Sequence, residues 1–456
     1  MAAKNRRAVR WLKGELPALV EAGAIDAANA EAIERHYDAV DSGDSRGTAF
    51  TLFAIVGSTL VGAGAILLVA HNWDQLGRGA RSVIAFLPLL AAQMMSLYVL
   101  LRRMASRPWR ESAAVFNVAA VGMAIALISQ TYQIQGHFGS FMFVWMLLSI
   151  PVVYLMRTTF GAVLYVVGVT VWLMAETGFF GLGSSGSILW FWALLALIVP
   201  FFVFRMRRAP QGGSALTLAM FLLVATIAGL GVTSDAVRSN LGALAFSGLF
   251  AALYLASSQF FPTQDSGRPY FLTKIGILGI GAMAVILSFE TLWRFRHVYP
   301  ARTVNAEHIL SVGVQLSFVV TALALAVYAF LKRDKARFNY VAALLPIVTG
   351  IGWILVTALR GELNYDLTRD TGPAPFFAAL LFNGYALVLG VFTLMRGLRA
   401  GRLTEANLGL LIIAALAVSR FFDSGLGFTA RGIGFMLIGA GFLVANMMMF
   451  KRKARA

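Results

Sequence analysis

The chain has 456 residues, of which 59% are hydrophobic and 13% charged, and its mean hydropathy is +0.76. That composition excludes a soluble globular domain, and the absence of cysteine excludes disulfides, thiolate nucleophiles and Cys-ligated metals. A net charge of +17 would suit a nucleic-acid binder if the chain were soluble, so where the charge sits decides what it means.

Residues 1–48 lack the apolar core of a secretory signal and are expected to form a cytoplasmic helical unit with a linker, ahead of a multi-pass membrane domain over 49–456. Val9, Leu12, Leu16 and Leu19 fall at helical spacing, with Pro17 a kink or break and Gly23 a stop. Asp26 is placed to cap a second helix whose Ala30, Ile33, Tyr37 and Val40 share a face. The pair reads either as a docking hairpin or as an amphipathic unit lying on the bilayer. Asp41 to Gly47 has linker composition.

From Ala49 onward, apolar runs recur that are long enough to cross a hydrocarbon core about 30 Å thick as helices. They lack the alternation of a barrel, so the fold class is all-α, a polytopic membrane helix bundle. About fourteen spans are expected: 49–70, 82–101, 113–130, 140–156, 159–175, 187–204, 214–233, 240–258, 271–289, 309–331, 340–359, 374–395, 407–422 and 432–450. With the N-terminus inside, 28 of the 38 Lys and Arg residues and 12 of the 21 acidic residues fall on the cytoplasmic side. The basic excess is then a positive-inside signal, consistent with two cytoplasmic termini and with no nucleic-acid partner.

Three polar stretches interrupt this pattern. The first outer loop holds His71, Asn72, Trp73, Asp74, Arg78 and Arg81. Trp73 suits headgroup depth, His71 and Asp74 are three apart and able to pair, and the two arginines suit a phosphate or carboxylate. A structural cap joining the first two spans competes with a ligand site there. The second stretch, Gln130-Thr-Tyr132-Gln-Ile-Gln-Gly-His137, ends the third span. Its donors and acceptors must bond the first loop, bond one another, or line a polar vestibule. In the third, Arg420 and Asp423 lie three apart near the outer end of span thirteen, where charge is expensive unless paired. The segment up to Arg431 echoes Asp74 to Arg81 in having an acid, glycines and a closing Ala-Arg.

The other polar residues inside spans, Gln93, Asn117, Gln315 and Asn383, are uncharged. No carboxylate lies near a span centre, which argues against proton-coupled antiport. GxSxG, HExxH, P-loop and Rossmann patterns are absent. No catalytic residue, metal ligand or cofactor is therefore assigned, and an enzyme is the less expected class. The acidic outer segment 360–373, with Glu362, Asp366 and Asp370, reads as a solvated loop or as a source of metal ligands or a base.

The N-terminal helical unit, His71-Asn72-Trp73-Asp74 after the first span and Gln130-Thr-Tyr132-Gln-Ile134-Gln-Gly136 together resemble a family of predicted bacterial membrane proteins, domain of unknown function 2157. Arg420-Phe-Phe-Asp423 is similar to the end of its longer members. The resemblance implies a bacterial inner-membrane location and carries over no catalytic residues. The leading functional expectation is a transporter-like or flippase-like protein for a lipid-linked or amphiphilic substrate. Its ligand-binding or structural cluster would comprise His71, Asn72, Trp73, Asp74, Arg78, Arg81, Gln130, Tyr132, Arg420 and Asp423. A non-catalytic scaffold of an envelope complex and a membrane-embedded transferase are the alternatives. The expected partners are the lipid bilayer and a lipid or small-molecule substrate, with protein partners unassigned.

Overall fold

A computed structural model describes residues 6–33, 75–177, 188–209, 212–236, 241–260, 271–294, 306–332, 340–361 and 373–421, together with a few single positions between 429 and 440. The expected first span, nearly all of the last, His71 to Asp74, Asp423 and the acidic segment from Glu362 to Asp370 lie outside them. Among the described residues the protein is helical and has no strand.

The chain divides into two units, one comprising Met1–Phe86 with Gln130–Tyr132 and the other Leu87–Ser129 with Gln133–Ala456. In the first, α1 (Arg6–Glu21) carries Pro17 without ending there. It stops where Gly23 takes φ 67°, a left-handed value that glycine adopts without steric cost. Asp26 then accepts from the amide of Ala27 at 2.9 Å, and residues 27–33 are helical. Leu16, Val20, Ala27 and Ala30 line a shallow hollow between the two helical stretches.

The membrane helices follow in order: α2 (Arg78–Arg103), α3 (Arg107–Tyr132), α4 (Phe138–Met156), α5 (Thr159–Glu176), α6 (Leu189–Arg208), α7 (Gly213–Ala236) and α8 (Gly242–Phe260). After them come α9 (Phe271–Leu287), α10 (Ala306–Leu331), α11 (Leu345–Gly361), α12 (Ala374–Arg399) and α13 (Leu403–Phe421). Ten helices among the described residues are long and apolar enough to cross a membrane, and α9 and α11 are shorter apolar helices. The expected count of about fourteen is not confirmed by these ten.

Local chemistry explains where the helices begin and end. His137 and Thr158 cap α4 and α5, their side chains accepting from the amides of Ser140 and Gly161 at 3.2 Å. Gln133 and Arg157 end α3 and α4 in left-handed conformations, with φ 51° and 50°. The amide two places beyond each helix end folds back, Ile134 onto the Ser129 carbonyl and Thr158 onto that of Val153. The expected single span 340–359 is broken: a short turn, Tyr340–Ala343, precedes α11. The break falls at Leu344, and Pro346, which has no amide to donate to a carbonyl of the preceding turn, then sits in the first turn of α11, where that donor is not needed.

The two largest apolar cores among the described residues lie in the second unit. One gathers Met146, Tyr165, Trp172, Phe191, Ile198 and Leu218 from α4 to α7. The other gathers Tyr254, Ile280, Leu345, Phe382, Leu389 and Ile412 from α8, α9 and α11 to α13.

Candidate functional site

Of the residues singled out in the sequence, Tyr132, Arg420, Asn117, Gln315 and Asn383 make bonds to another helical segment, whereas Gln93 is exposed. At the start of α2, the Arg81 Nε donates to the Leu76 carbonyl at 2.9 Å, which folds the loop onto the helix. One residue on, Ser82 Oγ donates to the Arg78 carbonyl at 3.0 Å and lies within hydrogen-bond distance of the Tyr132 hydroxyl, also at 3.0 Å. Of the three arrangements open to the 130–137 stretch, Tyr132 thus takes a bond to the helix that follows the first loop. Gln130 is exposed.

Arg420 lies near the end of α13, where its Nη2 donates to Ser288 Oγ at 3.0 Å and its guanidinium lies 4.8 Å from the Phe289 ring centroid. Ser288 is fully buried just past the end of α9. Its carbonyl accepts from Asn383 Nδ2 at 3.3 Å, and Asn383 also bonds the Ala379 carbonyl at 2.7 Å. Trp293 Nε1 reaches the Leu287 carbonyl at 2.8 Å, so side chains collect the carbonyls that α9 releases at its end. Two further intramembrane polar residues behave similarly. Asn117 donates to Ser96 Oγ at 3.1 Å, and the fully buried Gln315 accepts from Ser234 at 3.5 Å.

Sequence reasoning missed a second polar contact between helix ends. Glu176, buried at the end of α5, lies 3.8 Å from His137 Nδ1 at the start of α4. A Cβ on Gly139 would overlap its carboxylate. No local pattern marks this pair, because 39 positions separate the histidine from the glutamate.

An apolar groove lies between α11 and α12. Val341, Leu344, Val348, Ile351 and Leu355 recur every three or four residues along one wall; Phe377, Leu380, Leu381, Gly384, Tyr385 and Val388 do so along the other. Its volume is about 610 Å³. Gly384 leaves the middle of the α12 wall without a side chain, and nothing lies within 4 Å of where its Cβ would be. Tyr385 spans one end, donating to the Val341 carbonyl at 2.8 Å. Leu344, Ile351, Phe377, Leu380 and Val388 are exposed rather than folded into the core. From Phe377 to Val388 the helix rises about 17 Å, close to half of a 30 Å hydrocarbon core. Such a groove can take a flexible hydrocarbon chain and offers almost nothing to a polar solute.

Among the described residues no group of three or more His, Asp or Glu side chains could hold a metal ion. Residues 17–162 match the model of a family described as predicted membrane protein (DUF2157), the family that the sequence resembles. The match runs from α1 into the start of α5 and takes in the segment ahead of α2 and the Tyr132 stretch. Neither the curated proteins nor the solved structures gave a match.

Proposed function

We propose that this integral membrane protein handles an amphiphile, transporter-like or flippase-like in class, whose acyl chain enters sideways from the bilayer and lies between α11 and α12. The groove is the observation that carries this reading. It is apolar along both walls, exposed, open at Gly384, and as long as one leaflet's hydrocarbon is deep. By the charge rule Phe377 lies near the outer end of α12, so the chain would come from the outer leaflet. A soluble polar substrate is less well served, because Asn117, Gln315 and Asn383 are engaged in bonds between neighbouring helices.

The test uses full-length protein in nanodiscs containing a phospholipid with a photoactivatable acyl chain. Labelling should concentrate on residues 341–388. Gly384→Trp fills open space and should cut that labelling several-fold while leaving thermal stability within about 0.5 kcal/mol of wild type. Labelling spread evenly over all lipid-facing helices, and indifferent to the substitution, would reject the reading. The pairing of the intramembrane polar residues favours a second reading, a non-catalytic scaffold whose groove seats a helix of another protein. Cross-links from position 384 to a protein instead of a lipid would select it.

A further inference from the structure

The end of the bundle that the charge rule assigns to the cytoplasm gathers arginines from α3 and α6 around one carboxylate, Glu111. That carboxylate is committed. Its oxygens accept from the Thr158 hydroxyl and from the amides of Thr159 and Phe160, the latter two at 3.1 and 2.8 Å, so it caps the start of α5. Arg107 reaches it only loosely, Nε to Oε1 at 3.8 Å, with an Arg107 side chain that is 61% exposed.

Arg205 is fixed by neutral groups. Its Nη2 donates to Thr159 Oγ1 at 3.1 Å and to Ser214 Oγ at 2.7 Å. Arg107, Arg110 and Arg208 lie near enough to repel its charge, and Glu111 to attract it. Arg208 stacks on Phe204, 4.2 Å from the ring centroid. The Nε of Arg110 is buried and has no hydrogen-bond partner among the described residues. Four guanidiniums thus converge where the described residues supply one carboxylate, already occupied. A positive-inside signal requires only that basic residues sit in a short cytoplasmic loop. It does not require a partly buried guanidinium pinned by two hydroxyls, or a buried donor left over.

We infer that Arg107, Arg110, Arg205 and Arg208 form a binding site for a phosphate group at the cytoplasmic membrane interface. Guanidinium forks suit phosphate oxygens, and interface depth suits the headgroup of an anionic lipid or a phosphorylated solute. The site is distant in sequence from the α11 and α12 groove and does not depend on it.

The experiment uses the full-length protein. In one arm it is reconstituted in nanodiscs of phosphatidylcholine with and without phosphatidylglycerol, and retained lipid is counted by native mass spectrometry. In the other, lipid-free protein in detergent is titrated with inorganic phosphate, against chloride at matched ionic strength, and thermal stability is read. Wild type should retain phosphatidylglycerol or be stabilised by phosphate, and the arm that responds identifies the source of the phosphate. Arg110→Gln with Arg208→Gln should reduce the response several-fold, whereas Arg399→Gln, at the end of α12 that the charge rule assigns to the same face, should not. Arg205 is left intact because it ties Thr159 to Ser214. If the double variant does not fold, Arg107→Gln substitutes an exposed side chain and should also weaken the response. Equal responses from wild type and the folded arginine variants in both arms would overturn the site, as would no response from wild type.

Discussion

The helices of the second unit are joined in two different ways. Between α3 and α7, long side chains carry hydrogen bonds across the gaps: Trp145 Nε1 to the Val118 carbonyl at 2.7 Å, Tyr165 to that of Leu194 at 2.7 Å, and Tyr154 to that of Leu197 at 2.5 Å. Trp192 Nε1 meets Thr233 Oγ1 at 3.0 Å. Between α12 and α13 the backbones themselves touch. A Cβ on Gly409 would stand 2.7 Å from both the Gly390 carbonyl oxygen and the Leu394 Cα. In lipid the hydrophobic effect does not drive helices together, so association rests on close packing and on polar ties, and these two sets of contacts each emphasise one of them.

The sharpest way to break this contrast is Gly409→Leu. Backbone cannot yield as a side chain can, so the substitution should cost at least about 3 kcal/mol and abolish a folded product, measured as monodisperse yield and thermal midpoint. Removing one tie in the other set should do far less. Tyr165→Phe deletes a hydroxyl whose acceptor is a helical carbonyl, and a loss of about 0.6–1.7 kcal/mol is expected in reversible detergent unfolding. A Tyr165→Phe loss equal to that of Gly409→Leu would erase the distinction. The smallest effect has the opposite sign. Gln133 holds φ 51° at the end of α3, where glycine sits without strain, so Gln133→Gly should stabilise by up to about 1 kcal/mol in the same assay.

Much of this arrangement was legible in the residues. The apolar runs place the start or end of most described helices within a few residues, because a membrane leaves the backbone little choice but helix. Gly23 and Asp26 act as the stop and cap that their chemistry suggests. Long-range pairing was not legible. Arg420 announces an expensive charge near a membrane boundary, yet nothing local says that its partner is Ser288, 132 positions earlier. The groove is harder still to anticipate, since it depends on Gly384 facing open space, and a glycine's sequence context does not reveal which way it faces. The arginine site hides for another reason. Its residues look like ordinary topogenic charge until Glu111 is seen to be spent on the α5 amides.

Helix length has a consequence of its own. At 1.5 Å per residue, the 18 residues of α5 reach about 27 Å and the 26 of α12 about 39 Å. One falls short of a 30 Å hydrocarbon slab and the other overshoots it, so no flat bilayer matches both. A slab of that thickness is met by α12 leaning or emerging at its ends, while α5 has no length to spare, and the balance shifts with acyl-chain length. Thermal stability in nanodiscs is therefore expected to pass through a maximum as the surrounding lipids are lengthened.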